Sequence, residues 1–125
     1  MKAFVDANVM VKAFTENPDK EKCIRCLKKD FMTDALCLVE AEDVISIIKK
    51  DHAYASSCIK SLLKSSAVIL PVGVTLLFES SKRVDKYKLD AFDRIHYVAA
   101  LLNNCTEFIS YDKDFDGLEI KRIEP

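Results

Sequence analysis

The chain has 125 residues, half of them apolar and 31% charged, with a formal net charge of −1. That balance excludes a disordered chain and predicts one globular domain over residues 1–125, with a core large enough to need no covalent staples. No apolar run approaches the roughly 18 residues of a membrane span, and the near-neutral charge excludes a whole-molecule basic field, so a polyanion would be held by local patches or by metal ions.

The opening AFVDANVM gives a first strand over residues 3–5 that ends on Asp6, with a stretch of helical character directly behind it. A strand heading into a core and ending on a carboxylate is the first feature that asks for an explanation. Lys2 is followed by this strand and then by acid rather than by an apolar leader, and the five cysteines are scattered through helical and apolar stretches. The expectation is a cytoplasmic protein with reduced thiols and no membrane association.

Residues 17–29 read as a helix, with Asn17 as cap and Pro18 in the first turn. The C-x-x-C formed by Cys23 and Cys26 lies inside it, without a second pair or a nearby His, so core packing is the better reading than zinc. A short extended piece from Met32 leads into a helix over 38–50, and another helix spans 53–63. His52 follows a helix end, where a C-cap role is natural. SAVILPV, 66–72, is the second clear strand. Thr75 then reads as the cap of a helix reaching residue 84. DAFDRIHYVAALLNN forms a helix over 91–103, EFIS a strand at 107–110, and LEIKRI a last one at 118–123. Apolar strands alternating with helices predict an α/β fold with a parallel sheet covered on both faces and right-handed crossovers.

In such sheets ligands bind beyond the carboxyl ends of the strands. Asp6 lies there, and so does Asp112, two residues past Ser110. Either one alone is an ordinary turn or cap aspartate. Glu40 is more informative. Stepping about 100° per residue, it falls on the same arc as Val44, Ile45, Ile47 and Ile48, where an unpaired carboxylate would be costly. A frayed helix start would explain it more plainly. Asp93 has a local explanation as the third residue of a helix capped by Asp90, yet Tyr97 and Ala100 continue its face, which predicts that it points into a cavity. Four acids from separate segments cannot all stay ionised together without a cation. Hard oxygen ligands suit Mg²⁺ or Mn²⁺, and such ions assist phosphodiester hydrolysis by activating water and neutralising the transferring phosphoryl group.

FVDANV, LVEAEDVI, DAFDRIHYVAAL and ISYDKDFDGL, in this order and over nearly the whole chain, resemble the PIN-domain family, in particular its small VapC-type toxins. The resemblance implies a three-layer α/β/α sandwich around a mainly parallel sheet of 4–5 strands. It also implies Mg²⁺ or Mn²⁺, and cleavage of single-stranded RNA by the toxin of a toxin–antitoxin pair. By position, Asp6, Glu40, Asp93 and Asp112 match the family's acidic quartet, and Asp114 matches a further acid of some members. Asn8 and Ser110 fall where supporting polar residues are expected. Ala7 departs from the pattern, which often has a hydroxyl there. Asp90 competes with Asp93, which is preferred because Asp93, His96 and Ala99 have the family's spacing. A small antitoxin laid into a groove near the acids and a homodimer are the implied partners.

The remaining candidates have plainer readings. His96 could orient Asp93 or touch RNA, but a packed, hydrogen-bonded helical histidine is the better expectation. The lysines at 28–29, 49–50 and 82–88 read as solvated faces, Asp116-Gly117 as a turn, and Phe14, Phe78 and Tyr97 as core. Two rivals remain. One is a phosphoacceptor domain of the receiver or haloacid-dehalogenase type, although the latter needs a second acid where Asn8 stands and the receiver's paired acids and late Lys are missing. The other is a PIN-like scaffold that binds RNA or protein without cutting.

Overall fold

The structure, a computed structural model, describes residues 2–125. Five strands form one sheet: β1 (Ala3–Val5), β2 (Met32–Asp34), β3 (Val68–Leu70), β4 (Glu107–Ile109) and β5 (Lys121–Ile123). The order is β3-β2-β1-β4-β5, and every pairing is parallel. The helices are α1 (Ala7–Ala13), α2 (Lys20–Leu27), α3 (Ala35–Lys49), α4 (His52–Leu63), α5 (Val74–Ser81) and α6 (Ala91–Leu102). Helices α1 to α4 pack on one another, and α5 packs on α6, so two helical layers flank the sheet as the α/β/α sandwich requires. No helix among the described residues is long and apolar enough to cross a membrane.

The order of the strands fixes where a site can form. From β1 the chain winds outward to β2 and β3, then returns past β1 to β4 and β5. With right-handed crossovers that reversal puts the two helical layers on opposite faces. It also leaves a crevice at the carboxyl ends of β1 and β4, where neighbouring chains leave in opposite directions. Beneath it Phe4 and Phe108 stack with ring centroids 5.1 Å apart, and Phe115 and Tyr97 close the cluster. Burial of each such side chain contributes about 1.5–3 kcal/mol, which makes the floor of the crevice rigid.

Several boundaries differ from the sequence expectation, and side-chain hydrogen bonds explain most of them. α2 begins at Lys20 because Asn17 folds the loop instead of capping a helix at 17: its amide donates to Lys12 O and Thr15 O and accepts from Asp19 N. α3 begins at Ala35, three residues early, because Asp34 caps it by accepting from Cys37 N at 2.8 Å. Its buried face carries Cys37, Leu38, Ala41 and Ile45, whereas Val44, Ile47 and Ile48 are exposed, so the expected apolar arc was misplaced. His52 does not cap a preceding helix. It opens α4 behind the cap Asp51, and α3 ends on Lys50 in the left-handed region. α5 starts at Val74 with Gly73 at its N-cap, so Thr75 lies inside it, and Phe78 on its surface is 64% exposed rather than core. Tyr97 is fully buried, as expected, and Phe14 is half-buried. Asp116-Gly117 is a turn, with Gly117 at φ 76. The lysines at 28–29, 49–50, 82, 86 and 88 are exposed, and all five cysteines are free and buried.

Candidate active site

The crevice at the ends of β1 and β4 opens into a hollow of about 350 Å³ whose walls include Asp6, Asn8, Lys12, Glu40, Asp93 and Asp112. The four acids singled out from sequence therefore meet in one place. Asp6 follows β1, Glu40 comes from the second turn of α3, Asp93 from the first turn of α6, and Asp112 from the segment after β4. A larger groove of about 740 Å³ lies against α2, β4 and β5, with Lys22, Arg25, Lys29, Asp30, Glu107 and Glu124 among its lining.

Asp6 is buried and held on every side. Its Oδ1 caps α1 by accepting from Ala7 N at 2.8 Å, and its Oδ2 accepts from Ser110 Oγ at 2.8 Å and from Asn8 Nδ2 at 3.3 Å. Asn8 also donates to Ser110 Oγ at 3.0 Å and accepts from Tyr111 N at 3.1 Å, so it ties β1 to β4. The hydroxyl missing at Ala7 is thus compensated by Ser110 and Asn8. Burial still raises the Asp6 pKa above the ordinary carboxylate value, against the lowering effects of His96, Ser110 and the Ala7 amide.

Asp93 is half-buried and lines the hollow, while Asp90 caps α6 by accepting from Asp93 N at 2.8 Å. That separates the two acids that competed in the sequence. Burial, then repulsion from Asp90, Asp6 and Asp112, pushes the Asp93 carboxyl up to about 7. Asp112 caps the 3-10 turn Lys113–Phe115 by accepting from Asp114 N at 2.9 Å, which brings Asp114 alongside. Carboxylate oxygens of Asp93, Asp112 and Asp114 lie within 4.8 Å of one another, and none of the three acids has a basic partner among the described residues. A set of oxygen donors this close, crowded enough to raise one member's pKa, fits a hard divalent cation.

Glu40 is paired instead. Its Oε1 lies 2.6 Å from His96 Nε2, while Nδ1 on the other side of the same ring is 2.7 Å from Asp34 Oδ2. His96 and Asp34 are completely buried, and Cys37 Sγ, 3.3 Å from Nδ1, fills the remaining space. Burial would push the ring toward neutrality, but the hydrogen bonds to Asp34, Cys37 and Glu40 outweigh it and raise the His96 pKa. The Cys37 thiol is pushed up to about 12 by burial and is therefore an inert packing group.

The sequence reading missed Asp34, Cys37 and Lys12. Asp34 had a visible signal, an acid immediately before a helical run. Lys12 had one too, as the single cation in the apolar segment NVMVKAF. It lines the hollow with Nζ held 3.0 Å from Asp19 Oδ2 and 4.8 Å above the Tyr111 ring.

Comparison with known proteins agrees with the fold. A model of the PIN domain matches residues 3–121. Three solved structures share the fold: VapC20 of Mycobacterium tuberculosis, titled a sarcin-ricin loop cleaving toxin, a toxin–antitoxin complex from Klebsiella pneumoniae, and VapBC2 of Rickettsia felis bound to a DNA fragment from its promoter. The first is 15% identical over 98% of this chain and 99% of its own, with a TM-score of 0.82. The second is 16% identical over 97% and 95%, with 0.74, and the third 15% over 99% and 98%, with 0.72. A search of curated proteins finds no match.

Proposed function

The chain belongs to the PIN domain family, and from that premise we propose that it is a metal-dependent endoribonuclease acting on single-stranded RNA as the toxin of a toxin–antitoxin pair. The observation that carries this reading is the meeting of Asp6, Glu40, Asp93 and Asp112, from four separate segments, in one hollow at the sheet's switch point. Asp93, Asp112 and Asp114 would hold Mg²⁺ or Mn²⁺, with Asp6 and Glu40 on the inner wall. When bound, the cation supplies charge neutralisation at the scissile phosphate and lowers the pKa of water.

The chain's own residues do the rest. Asp6, fixed by Ala7 N, Asn8 and Ser110, presents a rigid negative wall that orients whatever cation the outer acids bind. Lys12, held over Tyr111, offers the phosphate backbone a positive contact at the rim without reading sequence. Beside the acids, α3 leaves Val39, Val44, Ile47 and Ile48 exposed. That exposed apolar surface, with Val44 in the wall of the hollow itself, is where an antitoxin segment would dock, two of the structural neighbours being toxin–antitoxin assemblies. A homodimer and a cytoplasmic location complete the reading.

The test is a purified ribonuclease assay on single-stranded RNA with Mn²⁺. Asp6→Asn and Asp93→Asn should each lower activity at least about 100-fold, more than the loss of an outer-sphere partner causes. Wild-type activity in both variants would refute the reading. Calorimetry separates a non-cutting scaffold, which would show no carboxylate-dependent Mn²⁺ site.

A further inference from the structure

Lys12 and Lys22 are held by one carboxylate. Lys12 Nζ is 3.0 Å from Asp19 Oδ2, and Lys22 Nζ is 3.9 Å from Asp19 Oδ1. One negative charge cannot neutralise two ammonium groups, so the trio keeps a net positive charge. Lys12 lies in the wall of the hollow that gathers the acids. Lys22 lies in the wall of the neighbouring groove of about 740 Å³, where Arg25 and Lys29 follow it. The trio therefore joins the two concavities. The chain after β4 joins them as well: Ile109 lines the groove and Asp112 lines the hollow. Tyr111, between them, has Lys12 Nζ 4.8 Å above its ring and its hydroxyl 3.5 Å from Cys23 Sγ on α2.

The path has a direction. α2 begins at Lys20, next to the Asp19 that holds Lys12, and leads into β2, so it runs from the level of the hollow toward the opposite end of the sheet. Lys22 and Arg25 are exposed on it one turn apart, about 5–6 Å between Cβ atoms. Arg25 has no acidic partner among the described residues. The acids of the groove do not interrupt this run. Glu124 is engaged by Arg122 Nη1 at 2.9 Å, while Asp30 and Glu107 stand where β2 and β4 begin, at the far end with Lys29. Nearest the hollow, then, stand Lys12, Lys22 and Arg25, with Ile109 and Ile123 as apolar surface alongside. Cations bordered by apolar surface suit a single strand of nucleic acid, which lays phosphates on the charges and bases against the surface. Resting on the nuclease reading above, we propose that this run is the substrate's exit track. An RNA strand held in the hollow leaves it across Tyr111 and lies along α2, with successive phosphates on Lys12, Lys22 and Arg25. An acidic protein segment would meet the same charges, but the run starts inside the hollow, where the strand itself must pass. Its contacts add affinity and read no base.

The test measures binding without cutting. The full chain is titrated into a fluorescently labelled single-stranded RNA of about a dozen nucleotides, in EDTA and at several salt concentrations, and followed by anisotropy. Lys12→Gln, Lys22→Gln and Arg25→Gln should each weaken binding roughly threefold to tenfold at low salt. Each should also lower the slope of log Kd against log salt by about 0.7, the single-strand value for one phosphate contact. Lys60→Gln, at an exposed lysine of α4 that lines neither concavity, should change neither quantity. With Mn²⁺ present, the three track variants should raise KM for RNA, the mark of lost substrate binding. RNA affinity unchanged in all three, or lost equally in Lys60→Gln, overturns the track. Unchanged RNA affinity with loss of a glutamate-rich peptide overturns it too, and assigns the run to a protein partner. RNA bound through this run by a chain that never cuts it with Mn²⁺ defeats the nuclease reading and leaves the track standing.

Discussion

Ser110 donates its hydroxyl to Asp6 Oδ2 at 2.8 Å and, through its lone pairs, accepts from Asn8 Nδ2 and from Asp112 N, each at 3.0 Å. One hydroxyl thus connects the acid after β1 to the backbone of the acid after β4. Ser110→Ala should cost about 1–3 kcal/mol in a urea melt, because buried Asp6 loses a donor. It should also lower ribonuclease activity roughly 10-fold to 100-fold. A variant with wild-type stability and activity would show that Asp6 needs no such support.

Asp34 does two jobs from a fully buried position, capping α3 and bonding His96. Asp34→Ala should destabilise the fold by about 3–5 kcal/mol, the usual consequence of leaving one member of a buried charged pair alone. Asp34→Asn preserves the cap and should lose less. Equal melting of the two variants would contradict the double role.

The raised pKa of Asp93, about 7, has a definite sign for stability. An unfolded aspartate titrates near 4, so between about pH 4 and 7 the folded chain binds the extra proton. Stability contributed by this group is therefore present at low pH and lost as pH rises through that window, the reverse of a salt-bridged acid. In metal-free buffer, Asp93→Asn should flatten this part of the pH–stability curve. Added Mn²⁺ should restore stability at pH 7 by binding the folded state. Parallel curves for wild type and variant would remove the electrostatic strain from the account.

Ile47 is 67% exposed on α3, which also leaves Val39 and Ile48 exposed. Ile47→Lys should leave the melting free energy within about 0.5 kcal/mol, as surface changes do. If this strip receives the proposed antitoxin, the same change should weaken the complex by tenfold or more in a titration. Unchanged affinity would send the partner to another face.

The acids at the ends of β1 and β4 were legible because a short apolar strand with a polar terminus is a local pattern, and local patterns survive in sequence. Asp93 was legible for another reason: Tyr97 and Ala100 continue its helical face, and Asp93, His96 and Ala99 have the family's spacing. Glu40 was found on a faulty premise. The arc thought to be buried includes Val44, Ile47 and Ile48, which are exposed, and Glu40 reaches the hollow from the edge of the true buried face. A helical period shows that a stripe is apolar. It does not show what the stripe meets.

What the sequence by itself determined was the alternation of strands and helices, the acids that end or begin them, and through these the family. Only the tertiary structure decided how the acids divide: Glu40 paired with His96, which also bonds Asp34, Asp6 held by Ser110 and Asn8, and Asp93, Asp112 and Asp114 left facing one another. The reason is physical. Pairing of charges depends on distances of a few ångströms between segments about 60 residues apart in the chain, here Asp34 and His96. No local pattern encodes that distance until the sheet brings the ends of its strands together.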